Sequence, residues 1–253
     1  MTKNKRRKFI MANKDVGVRF LIWTYFNLDG SETKEKIVVR CIGLAYKDAT
    51  NQGAFNAVQN KGFFDTNTAA EHLRVKILNG PEKPFDAWHK EMCGALVDCY
   101  SVGKEKDPPA FSYGNAQKWL NMTIKYLYIY RALTDALSNL TQGQNEYRAF
   151  YDNLYLRFEH NFHIPIDSFI MEAIWPKNLP SQNWIPGADL PQKSPGAYSG
   201  TKHTPWSQFD DNAYNSVQNH IKEQLDGRAP MEWENEHWIT VAKYRKDKTD
   251  KSK

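Results

Sequence analysis

The sequence predicts a mainly α-helical fold built as two helical lobes. Three observations carry that expectation. Apolar residues recur at helical spacing along most of the chain past residue 67. The helical runs end at strong stop signals, among them Asn79-Gly80-Pro81 and Lys106-Asp107-Pro108-Pro109. A chain of 253 residues, 41% hydrophobic with 8 Trp, 13 Tyr and 13 Phe, can bury a sizeable core as one domain or two packed lobes.

In chain order, residues 1–15 read as a basic flexible tail. Val16 to Leu28 and Lys36 to Tyr46 are apolar runs rich in β-branched and aromatic residues, joined across Asp29-Gly30. They fit either a short β-hairpin or buried helices. A helix opens near Thr68 and runs through Leu78, and a second spans Lys83 to Val102. Gly114, Asn115 and Ala116 read as a turn, after which Gln117 to Leu133 form a helix with Trp119, Met122, Tyr126 and Ile129 on one stripe. A polar linker (Ser138 to Glu146) precedes an aromatic-rich helix from about Tyr147 to Asn161. Pro165 and a candidate N-cap, Asp167, start another helix. Residues 176–205, rich in Pro, Gly and Ser, read as an inserted loop, and helices follow at Trp206 to Leu225 and Pro230 to Tyr244. The expected organisation is a tail (1–15), an N-terminal lobe (16–105), a second lobe (106–245) holding the loop 176–205, and a basic tail (246–253).

Composition narrows the function classes. Cys41, Cys93 and Cys99 are odd in number and lack CxxC spacing, which argues against a disulfide framework or a zinc site and for a reducing compartment. No cofactor and no metal is expected. No signal peptide is visible and no run reaches the roughly 20 apolar residues of a membrane span, so a cytoplasmic protein without a membrane partner is expected. The formal net charge is +5, with basic residues gathered at both ends: Lys3, Lys5, Arg6, Arg7 and Lys8, then Lys243, Arg245, Lys246, Lys248, Lys251 and Lys253. Such ends are either solvated tails or a non-specific attraction for phosphates.

Two residues carry candidate chemistry. Lys118 follows the Gly-Asn turn in the first turn of its helix, where the helix dipole disfavours a cation; with partial burial this would depress its pKa and make the amine a nucleophile. Asp167 opens a later helix, where a fixed carboxylate could stabilise a cationic sugar. Each also has a plain alternative: a surface lysine, and an ordinary N-cap.

Their order resembles the helix-hairpin-helix DNA glycosylases, and among them the archaeal 8-oxoguanine DNA glycosylase family. Lys118 to Tyr130 resembles that family's catalytic-lysine helix, including a second lysine, Lys125. His163 to Ala173 (HIPIDSFIMEA) resembles its IPVD segment. Tyr214 to Arg245 resembles its C-terminal helices, with Pro230 and Trp238 in register. The likeness covers residues 110–175 and 206–245. It implies that Lys118 attacks the anomeric carbon and Asp167 stabilises the developing charge. It implies that Trp238, Glu234 and Met122 face the extruded base, and that Gly114, Asn115 and Ala116 present N–H groups to a DNA phosphate. The N-terminal lobe would supply part of the base pocket. The partner would be double-stranded DNA with a modified base, the enzyme a monomer. The substrate stays open between an 8-oxoguanine-like base and a hypermodified phage base such as glucosylated hydroxymethylcytosine, removed in antiviral defence.

The sequence departs from the family in three places. The hairpin lacks the GxGx(K) spelling, the Lys118–Asp167 spacing holds what looks like an insertion, and the first hundred residues show no likeness. Two other readings remain. One is a nucleic-acid-binding module without catalysis. The other is a HEPN-type ribonuclease using Arg157 and His163, six residues apart, although no polar residue follows the arginine. His160 and His163 could suggest a metal, but without further ligands at suitable spacing a structural role is preferred.

Overall fold

The structure, a computed structural model, describes residues 3–51, 66–101, 111–174 and 206–251. Every regular element among them is helical. The inserted loop 176–205 and the break at 106–109 lie outside the described residues.

The N-terminal apolar runs are helices, not a β-hairpin: α1 is Lys3–Phe26 and α2 is Lys34–Asn51. The reason lies in their spacing. Val18, Ile22 and Phe26 recur every four residues and are buried, as are Ile37, Cys41, Ala45 and Ala49. β-branched residues cost a helix only a few tenths of a kcal/mol each, which packing readily outweighs. Asn27, at φ 51°, ends α1 in the left-handed conformation, and its N–H donates to the Trp23 carbonyl at 2.8 Å. α1 takes in residues 3–15, read from sequence as a loose tail.

Next come α3 (Thr66–Asn79) and α4 (Phe85–Ser101), close to the expected helices. α5 (Tyr113–Asp135) is the central helix, and residues 114–124 are buried on every face. It packs most extensively on α2 and also on α4. The Trp119 indole N–H donates to the Ile42 carbonyl at 3.1 Å across the first of these contacts. α6 (Gln142–Leu154) begins inside the predicted linker, because Thr141 and Gln144 form a reciprocal capping box. A 3-10 helix (Leu156–Asn161) and an extended stretch (162–167) lead to the short α7 (Ser168–Ile174). After a 3-10 turn at Trp206–Gln208 come α8 (Asp211–Lys222) and α9 (Pro230–Lys251), the latter running into the predicted C-terminal tail.

The core falls into two apolar clusters. One gathers residues from Val18 to Phe162 together with Met231. The other gathers Ile164, Ile166, Ile170 and Ile174 with residues of the 209–225 stretch and Trp233. Tyr113 and Trp206 pack against both. The chain leaves the first core near residue 163. The stretch 162–167 crosses from one core to the other, and Asp167 stands at its end.

Candidate functional site

Helical spacing puts Lys118, Met122 and Lys125 on one stripe of α5. The Lys118 ammonium donates to Asp167 Oδ2 at 2.9 Å, across 49 residues of chain, and the two side chains are only 1% and 3% exposed. The other carboxylate oxygen, Oδ1, accepts the N–H groups of Phe169 at 2.8 Å and Ile170 at 3.0 Å. Asp167 is thus both the N-cap of α7 and the partner of the lysine. Burial raises its pKa, but the Lys118 charge and these hydrogen bonds outweigh it and hold the carboxyl below its usual range.

One sequence-based premise changes. α5 starts at Tyr113, capped by the Ser112 hydroxyl, so Lys118 sits in the second turn and not the first. The dipole argument fades over that distance. What distinguishes the lysine is its burial against a single carboxylate.

Gly114, Asn115 and Ala116 form the first turn of α5, not a separate turn. The Gly114 N–H donates to the Phe209 carbonyl at 2.9 Å, and those of Asn115 and Ala116 reach the Ser112 carbonyl at 3.1 Å. A Cβ on Gly114 would stand 2.0 Å from the Trp206 carbonyl oxygen, so the glycine serves the close crossing of the 206–209 stretch. These N–H groups have partners within the chain, which removes the basis for assigning them to a DNA phosphate.

Glu234 and Trp238, one turn apart on α9, are met from two directions. Glu234 is buried and accepts from Lys125 at 2.8 and 2.5 Å. The half-buried Trp238 stacks on Phe169, centroids 4.6 Å apart and planes at 23°, and the Arg245 guanidinium covers the same phenyl ring at 3.9 Å. Arg245 is anchored by Glu172 at 2.7 Å and the Ser168 carbonyl at 3.0 Å. Met122 is buried between the two lysines in sequence, one turn from Lys118. The lysine stripe of α5, the start of α7 and one face of α9 thus meet through these pairs.

The stretch leading to Asp167 is held by side-chain amides that sequence reading missed. Gln117 of α5 accepts the Ile166 N–H at 3.3 Å and donates to the Ile166 carbonyl at 3.2 Å. Gln218 of α8 does the same to Ile164, at 3.2 and 2.6 Å. Two glutamines therefore stand in for a neighbouring β-strand along the extended backbone at Ile164 and Ile166. Asn121 adds a bond to the Ile164 carbonyl at 3.2 Å and donates to the Tyr214 hydroxyl at 2.9 Å. His163 Nε2 lies 2.9 Å from Asp86 Oδ1, so it donates there, and its Nδ1 accepts from the Tyr214 hydroxyl at 2.8 Å. Lys222 also holds Asp86, at 3.0 Å. Burial keeps the pKa of both His163 and its neighbour His89 low, and the His163 charge lowers that of His89 further. Asp86 is pulled down mainly by its hydrogen bond with His163. The detectable signal was a run of amides, Asn115, Gln117 and Asn121, inside an otherwise apolar-patterned helix.

Other sequence candidates take separate partners. Arg157 lies over the Phe158 ring at 4.6 Å and reaches the Pro81 carbonyl at 3.4 Å, whereas the His163 imidazole is taken up by Tyr214 and Asp86. The ribonuclease pair is not assembled. Among the described residues no group of three His, Cys, Asp or Glu is placed to hold a metal. An open groove of about 510 Å³ lies elsewhere, on α2 and α3, lined by Leu28, Val39, Arg40, Gly43 and Arg74. It contains none of the candidate residues, and the buried pair is the better site on chemical grounds.

The chain matches no protein-family model, no curated protein and no solved structure.

Proposed function

We propose that this chain is a DNA N-glycosylase of the helix-hairpin-helix kind, acting on a modified base in duplex DNA, with Lys118 as nucleophile and Asp167 as transition-state stabiliser. The observation that supports it most is the buried 2.9 Å contact between those two side chains. A lysine and a carboxylate brought together in a dry interior are the pair that glycosidic-bond cleavage through an imine needs.

The chemistry runs as follows. The base leaves the stack at a cost of a few kcal/mol and is received beside Trp238. Lys118 gives up its proton, with Asp167 Oδ2 the nearest acceptor, and its nitrogen bonds to the anomeric carbon. The glycosidic bond breaks, and the base departs with the electron pair and takes a proton. Asp167, fixed by two backbone N–H groups, faces the positive charge that develops on the sugar. The attached amine loses a further proton, and its lone pair expels the ring oxygen, which leaves with the C–O electron pair and takes up a proton. The opened sugar is held as a protonated imine on Lys118, from which β-elimination would cut the strand. Exposed Lys243 and Lys246 on α9 are available to phosphates. The substrate is an 8-oxoguanine-like base or a hypermodified phage base such as glucosylated hydroxymethylcytosine. Among the described residues no helix is long and apolar enough to cross a membrane.

Base release from duplexes carrying each base tests the proposal. Wild type should release one of them, and both Lys118→Gln and Asp167→Asn should lose at least a hundredfold in rate. Release unaffected by either substitution would contradict it.

The depth of the pair favours a second reading. With both side chains almost fully enclosed, the contact could serve only to join α5 to α7 in a non-catalytic nucleic-acid-binding module. Duplex binding without base release from either DNA would select that reading.

A further inference from the structure

One group near the pair has no role in the contacts described above. Asn115 is 3% exposed, and its carboxamide oxygen, Oδ1, has no hydrogen-bond partner. Leaving a buried acceptor unsatisfied is costly, and most such atoms in folded proteins are paired. The backbone N–H of Asn115 is committed to the cap of α5, and Oδ1 of the side chain is the unpaired acceptor. At about 100° per residue, Asn115, Met122, Lys118 and Lys125 fall within an arc of about 80° on α5. The orphan oxygen is therefore on the stripe that carries the reactive lysine, one turn before it.

Its chemistry restricts what it can meet. A carboxamide oxygen accepts and does not donate, so it has nothing to offer a phosphate or a sugar ring oxygen. It suits an N–H. The edge of an extruded nucleobase presents such donors. Lys118, the charged group three residues on along the stripe, is engaged with Asp167.

We propose that Asn115 is a substrate-contacting residue whose Oδ1 accepts an N–H of the extruded base and selects bases that present a donor at that edge. This rests on the base-excision reading. It differs from assigning the Asn115 backbone N–H to a phosphate, because the contact comes from the side chain and is made to the base.

The test compares wild type with Asn115→Leu, similar in volume, and Asn115→Ala, in case the leucine does not fit. Binding is measured to a duplex with 8-oxoguanine, a duplex with glucosylated hydroxymethylcytosine, and a duplex with a tetrahydrofuran abasic-site analogue, which has no base. Loss of the acceptor should weaken binding to the preferred modified duplex about tenfold and leave binding to the abasic duplex unchanged. Tm should stay at or above that of wild type in at least one variant, since an unsatisfied polar atom has been removed. A variant that binds all three duplexes as wild type does overturns the proposal for Asn115 alone, as does an equal loss on all three. A fall in Tm in both variants also overturns it, by making the carboxamide structural. A wild type that prefers neither modified duplex to the abasic one overturns the proposal together with the base-excision reading.

Discussion

Two lysine–carboxylate pairs sit seven residues apart on the same stripe of α5, and they differ in their access to water. Lys118 and Asp167 are 1% and 3% exposed, whereas Lys125 is 18% exposed beside a Glu234 that is only 2% exposed. When Glu234 is lost, solvent can compensate in the outer pair, because Lys125 reaches water. The inner pair has no such recourse. Burying two charges costs several kcal/mol per ion, and their attraction roughly offsets it. The inner pair is thus a poor device for stability alone, and an enclosed amine beside a fixed carboxylate is suited to chemistry.

Stability measurements should separate the pairs most strongly. Lys118→Ala or Asp167→Ala, each leaving one buried charge alone, should cost about 3–5 kcal/mol by urea unfolding. The double substitution Lys118→Met/Asp167→Leu should recover most of that loss or exceed wild-type stability, while abolishing base release. A double variant no more stable than the singles would remove the contrast.

The amide clamp supplies the next effect. Gln117→Ala strips the Ile166 N–H and carbonyl of their side-chain partner and should cost about 2–3 kcal/mol. It should also slow base release by loosening Asp167. The outer pair should respond less: Glu234→Gln keeps the shape of the side chain and should cost about 1 kcal/mol or less in unfolding experiments.

The smallest effect is in pH. Buried His89 and His163 have pKa values held below the ordinary 6.5. The unfolded chain therefore takes up protons first as pH falls below about 6.5, and the folded state does not. Stability should be full above that pH and decline below it, and His163→Gln should flatten the decline. Asp86 and Asp167, whose pKa values are lowered, should add a second loss only as pH falls through and below about 3.8. Unfolding free energies at pH 7.5, 6, 5 and 3.5 would resolve the two steps.

The sequence made some of this legible and hid the rest for physical reasons. α3, α4 and the body of α5 were readable because their apolar spacing and stop signals agree. α1 and α2 were ambiguous because the β-branched and aromatic residues that fill their buried faces are also those preferred in strands. The start of α5 was misplaced because Gly114-Asn115 looks like a turn, while the glycine is there for the backbone of Trp206 to approach. Lys118 and Asp167 could be named from their order and from a family likeness, and they touch. Their burial could not be read, since it depends on helices that lie far apart in the chain. Gln117 and Gln218 went unseen because an amide acting as a strand leaves no periodic mark.

Borohydride reduction during incubation with modified-base duplex, followed by peptide mapping of any protein–DNA adduct, tests the central claim most directly. The account predicts a covalent adduct on Lys118, absent in Lys118→Gln and retained in Lys125→Gln. No adduct with either the 8-oxoguanine or the glucosylated hydroxymethylcytosine duplex, or one carried by Lys125 in place of Lys118, would contradict it.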